Sequence, residues 1–156
     1  NIGDFISRYN YPAHYSELCL FDSYIQKIAS IPASQHHLTV NNFKTIVDNY
    51  GDKIMIQLSP TAMLITLKYN LLEIIASSYS ADILSSSDQV IVFQKDFKVY
   101  YKKLTNQEHN AFNKCNMPRL FTDFWADMEF NFSDTAVKVF QQWLSDNLLC
   151  YSSITK

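Results

Sequence analysis

The chain of 156 residues holds only two glycines, and its only arginines are Arg8 and Arg119. Scarce glycine leaves few positions free to take positive φ. That suits helices and short turns better than a turn-rich β-sandwich, and it leaves no glycine-rich loop to cradle phosphate. Scarce arginine, with a formal net charge of −2 and a pI near 6.1, argues against a broad DNA-phosphate footprint. Cys19, Cys115 and Cys150 lie far apart and form no C-x-x-C pair. Free thiols buried among apolar neighbours, in a reducing compartment, fit better than a disulfide framework. The longest apolar stretch, 62–76, is broken by Thr66, Lys68, Asn70 and Glu73, so it is unsuited to crossing a bilayer. With no signal peptide visible, the expectation is a soluble, cytoplasmic protein.

Catalytic sets are missing as well. No G-x-S-x-G elbow, P-loop, G-x-G-x-x-G or H-E-x-x-H pattern occurs. His14, His36, His37 and His109 lack metal-ligand spacing, and the adjacent His36 and His37 cannot share a helix face, so they read as polar loop residues. Asp123, Asp127 and Glu129 can line one side of a helix, but no second motif converges on them and a solvated face explains them. No catalytic residue, metal site or cofactor is expected in this chain.

Aromatic residues are abundant, with ten tyrosines and eleven phenylalanines, and a hydrophobic content of 47% supports a folded core. Residues 1–15 read as an irregular arm. Leu18, Phe21, Tyr24, Ile25 and Ile28 recur at helical spacing, and Pro32 stops that helix at Ile31. A second helix over 38–50 presents Phe43, Ile46, Val47 and Tyr50, with Gly51 as its C-terminal cap. Ser59 and Pro60 predict a third helix running to Ser78 as the central core element. Serines then cluster up to Ser87, the candidate boundary between lobes 1–87 and 88–156.

Beyond that boundary the apolar period changes to two. Val90, Ile91, Val92 and Phe93, then Phe97 to Tyr101, predict a β-hairpin over 90–104. Thr105 and Glu108 form a capping box for a helix to Cys115, Pro118 opens a second helix to Met128, and Ser133 caps a third. Residues 148–151 read as a strand. The expected fold is therefore mainly α with a small antiparallel sheet (α+β), an N-terminal helical lobe supporting a winged-helix-like C-terminal lobe.

The hairpin admits three readings. Its second strand, with Phe97, Lys98, Val99, Tyr100, Tyr101, Lys102 and Lys103, can accept an acidic or mixed peptide by strand addition at an exposed edge. Alternatively, the lobe is a winged-helix transcriptional regulator whose third helix reads DNA, although that helix offers Lys138, Gln141 and Gln142 and no arginine. Or the hairpin merely covers the helices.

Residues 90–149 carry a further pattern: a strand pair ending in Leu104, then Thr105-x-x-Glu108, then Trp143, Leu144, Leu148 and Leu149 at the close. This resembles the partner proteins of multinuclear non-haem iron oxidases in ribosomal peptide modification, and among them the methanobactin-type C subunits. Asn147 stands where the commoner pattern has glycine. The resemblance implies a heterodimer with an iron-bearing oxidase subunit, which holds the iron and oxidises cysteines of a precursor peptide to oxazolone and thioamide groups with dioxygen. This chain's implied part is to bind the precursor's leader; the implied product is a copper chelator.

Overall fold

The computed structural model describes residues 12–32, 36–78 and 81–153, which form an α+β fold with two three-stranded antiparallel sheets. In chain order come α1 (Ala13–Ser30), α2 (Val40–Tyr50), β1 (Ile54–Leu58), β2 (Ala62–Tyr69) and the short α3 (Leu71–Ala76). There follow β3 (Ser85–Lys95), β4 (Lys98–Lys103), α4 (Asn106–Lys114), β5 (Arg119–Leu120), α5 (Phe121–Phe132), α6 (Ala136–Ser145) and β6 (Leu149–Ser153). One sheet has the order β5-β1-β6 and the other β2-β3-β4, so each draws strands from both sides of residue 87.

Local chemistry sets the helix ends. Thr39 and Asn42 cap α2 reciprocally, and Thr105 and Glu108 do the same for α4. Gly51 ends α2 at φ 56° and ψ −128°, a region that glycine enters without the strain a side chain meets there. At the end of α6 the Leu148 amide donates to the Trp143 carbonyl at 3.0 Å and the Asn147 amide to that of Leu144 at 3.2 Å. This Schellman closure needs a left-handed residue, and Asn147 supplies it at φ 56°.

The expected helix over 59–78 is corrected to a turn, a strand and one short helix. The Ser59 hydroxyl accepts from the Thr61 amide at 3.2 Å and the Ala62 amide donates to the Ser59 carbonyl at 2.9 Å, so Ser59 closes a β-turn instead of opening a helix. The segment that follows pairs with β3 from Ala62↔Phe93 to Tyr69↔Ser85. The physical reason lies in β3, where Val90, Ile91, Val92 and Phe93 are buried on both sheet faces and Ile91 and Val92 have a strand on each side. Pro118 likewise opens no helix: Arg119 and Leu120 are taken by the edge of β1, and α5 begins at Phe121. Ser133 closes α5 at φ 45° and makes no side-chain cap. The arm expected over 1–15 lies outside the described residues up to 11, and helix α1 runs from Ala13.

Two clusters fill the interior. Phe21 and Ile28 of α1 pack with Ile65, Leu67, Val90 and Val92 on one face of the β2-β3-β4 sheet. Ile91 and Phe93, from the opposite face, join Phe112, Phe124, Phe140 and Trp143 of the last three helices. Among the described residues no helix is long and apolar enough to cross a membrane.

Candidate peptide-binding edge

The hairpin turns through Asp96 and Phe97 at φ 50° and 61°, two left-handed residues in succession, as a two-residue turn between twisted strands requires. The Leu104 amide donates to the Gln89 carbonyl at 2.7 Å, which sets the phase of the β3–β4 ladder. Inter-strand bonding alternates in antiparallel pairs, so Lys98, Tyr100 and Lys102 direct their main-chain groups toward β3. The amides and carbonyls of Val99, Tyr101 and Lys103 consequently face away. Among the described residues β4 has a strand on one side only.

All seven residues expected at the site lie together on this hairpin. Phe97 stands at the tip, 89% exposed. Val99, Tyr101 and Lys103 share the α1 side, where Val99 joins the core cluster and the Tyr101 ring meets Phe21 edge-on at 5.2 Å. Lys98, Tyr100 and Lys102 point to the other side, where Tyr100 stacks on Phe93 at 5.8 Å. The strand is thus half anchored and half open, with both tyrosines partly exposed.

The lysines are less free than their clustering in sequence implies. Lys102 pairs with Asp146 at 3.6 Å and Glu108 at 3.8 Å, while Lys95 shares Asp146 at 3.7 Å. Lys103 reaches Asp88 at 2.7 Å. Burial opposes ionisation of Asp88, but hydrogen bonds from Lys103 and Ser86 and the Lys103 charge outweigh it and hold its pKa below the ordinary value. Lys98 alone of the four makes no ion pair among the described residues. Main-chain pairing and aromatic contact, rather than a dense basic field, are what this edge offers. Sequence spacing could not reveal the acidic partners, since Asp88, Glu108 and Asp146 come from three separate segments.

Other expected candidates are absorbed by packing. Arg119 bonds Asp127 at 2.6 Å and Lys114 bonds the same carboxylate at 3.1 Å, tying α4, β5 and α5 together. Burial pushes the Cys115 thiol up to about 12. His37 sits 3.8 Å from the Cys150 sulfur; burial lowers its pKa against a main-chain hydrogen bond at Asn147 that raises it. Among the described residues no group of three or more His, Cys, Asp or Glu side chains is placed to hold a metal ion. A cavity of about 470 Å³ opens between α2, α5 and α6, lined by Phe43, Phe121, Trp125 and Phe140.

No protein-family model, curated protein or solved structure matches this chain.

Proposed function

We propose that this chain is a non-catalytic, cytoplasmic partner subunit that captures an extended leader peptide by strand addition along β4. The observation that carries the reading is the outward main chain of Val99, Tyr101 and Lys103 on a strand with one neighbour among the described residues. Such an edge supplies paired donors and acceptors to any extended segment, and the flanking Lys98 and Tyr100 side chains select among segments. Phe97 at the tip extends the contact.

The resemblance of residues 90–149 to partners of iron-dependent peptide oxidases supplies the setting. The iron belongs to the oxidase subunit, and this chain contributes tethering: a bound leader raises the local concentration of the precursor's cysteines near the oxidising site. The DNA-reading alternative has no supporting observation. Helix α6 buries Phe140, Trp143 and Leu144 and carries Lys138 as its one cation.

The test is fluorescence anisotropy with a labelled cysteine-containing precursor peptide bearing its leader, alone and with a purified iron-bearing oxidase subunit of the methanobactin type. Saturable binding that Val99→Pro weakens, with the fold intact by circular dichroism, supports the reading. Binding of neither molecule would sink it.

A further inference from the structure

The opposite edge of the same sheet is β2, and its main chain is independent of β4. The Gln94 amide donates to the Thr61 carbonyl at 2.9 Å, which phases the β2–β3 ladder. Ile65 and Leu67 therefore bond toward β3, and Leu64, Thr66 and Lys68 direct their main chain outward. At the far end this edge is already occupied by an acceptor. Glu17 of α1 takes the Lys68 amide at 2.6 Å and, past the irregularity in register, the Tyr69 amide at 3.0 Å. Its carboxylate sits where the carbonyls of a neighbouring strand would sit.

Next to Glu17 no strand among the described residues pairs with this edge, which runs along a groove of about 230 Å³ between α1 and β2. Leu20, Phe21 and Tyr24 form the helix wall, and Leu64 and Thr66 belong to the strand wall. Leu20 is 45% exposed, so apolar surface lies beside main-chain groups that have no strand partner among the described residues. Of the lining residues only Glu17 has an acidic or basic side chain.

We propose that this groove accepts an extended segment of a partner protein, added as a strand to β2, with an apolar side chain against Leu20 and Tyr24 and a neighbouring cationic side chain against Glu17. Three features select that occupant. The outward groups of Leu64 and Thr66 suit a main chain, the groove suits an apolar side chain, and the Glu17 carboxylate, already holding two amides, favours a cation over an anion beside it. The preference is opposite in sign to that of β4, where Lys98 is the lysine without an ion pair among the described residues.

The probe is a fluorescein-labelled pentapeptide, Arg-Val-Leu-Val-Thr, titrated against the full chain while amide exchange is followed by NMR. Binding should slow exchange at Leu64 and Thr66 by about tenfold or more and leave Tyr101 and Lys103 unchanged. Thr66→Pro removes an outward amide that the ladder does not use and should weaken the peptide by about tenfold. Leu20→Lys, on an exposed helix position, should do the same by filling and charging the groove, whereas Val99→Pro should leave affinity unchanged. Peptides with glutamate for arginine or aspartate for leucine should bind markedly less. Unprotected Leu64 and Thr66 amides, full affinity in Thr66→Pro and Leu20→Lys, or indifference to the charge swap would each overturn the proposal. Protection confined to Tyr101 and Lys103 would reject this groove while leaving the β4 reading standing.

Discussion

The amide of Leu104 bonds the carbonyl of Gln89, and that contact of 2.7 Å decides which way each residue of β4 faces. It makes Val99 and Tyr100 chemically unlike despite being neighbours: the first points its amide outward, the second into the ladder. Proline at each position should separate them. Val99→Pro is expected to change unfolding free energy by less than about 1 kcal/mol, because an edge strand tolerates a missing outward donor. Tyr100→Pro should cost about 1–3 kcal/mol beyond Tyr100→Ala, having stranded a buried acceptor of β3. Urea unfolding by circular dichroism measures both, and equal losses would show that the ladder has the other phase.

Phe97 is mismatched to its own backbone. A left-handed φ of 61° costs a side-chain-bearing residue about 1 kcal/mol, and glycine takes it freely. Since the ring is 89% exposed, its removal forfeits little packing. Phe97→Gly should therefore stabilise the protein by about 1 kcal/mol. In the proposed function the same change weakens leader binding, so stability and affinity move in opposite directions. A variant that gains stability and keeps full affinity would remove Phe97 from the site.

The hairpin was legible because its cues are local: alternation, a polar turn and a capping box at Thr105. Even so, the turn fell at Asp96 and Phe97, where no glycine announces it. The segment after Ser59 was not legible. Leu64, Leu67, Leu71 and Leu72 fit helical spacing, and leucine, methionine and lysine favour helices. Met63, Ile65 and Leu67 equally fit a strand with one face on α1, and only the need of β3 for a second neighbour decides between them. Four consecutive apolar residues at 90–93 hinted at a fully buried central strand, which a lone hairpin cannot provide. The open edge depends on strand order, and strand order is a property of distant pairing.

Charge reversal should distinguish two lysines that the sequence presents alike. Lys102 faces Asp146 and Glu108, so Lys102→Glu would bring a third carboxylate beside two others and should cost about 1 kcal/mol. Lys98→Glu meets no such pair and should leave stability within about 0.5 kcal/mol. The difference should shrink in high salt as exposed charges are screened. Only Lys98→Glu therefore gives a clean reading of peptide affinity. Equal stability of both variants at low salt would show that the Asp146 pairs contribute nothing.

Stability should fall on the acid side for a defined reason. Burial disfavours ionised Asp88 and Asp127, yet Lys103 and Ser86 at the first, and Arg119 and Lys114 at the second, hold their pKa values below the ordinary range. A depressed folded-state pKa contributes stability that is complete above the unfolded value, about 3.9, and is lost as pH falls through the folded value. Lys103 is the mirror case. Its hydrogen bond to Asp88 raises its pKa, so its contribution is lost only as pH climbs past about 10.5. Urea midpoints should be highest between about pH 6.5 and pH 9, because burial also lowers the His37 pKa and raises that of Cys115, and should fall further below about pH 3.9 as the two aspartates protonate. In Asp88→Asn and Asp127→Asn the acid slope should flatten; an unchanged slope in both would assign acid sensitivity elsewhere.

Thiol chemistry should follow burial. Cys19 is partly exposed on α1, whereas Cys115 is buried at the C-terminal end of α4 and burial pushes its pKa up to about 12. At pH 8 the Cys115 thiolate fraction is then about one in ten thousand, and access is closed as well. Iodoacetamide should modify Cys19 in native buffer and reach Cys115 only through unfolding, so the Cys115 rate should rise with urea in parallel with the unfolded population. Mass spectrometry of tryptic fragments separates the sites. Cys115 reacting as fast as Cys19 in native buffer would mean that the contact between α4 and β1, where the Leu58 amide bonds the Cys115 carbonyl at 2.7 Å, opens far more readily than its packing implies.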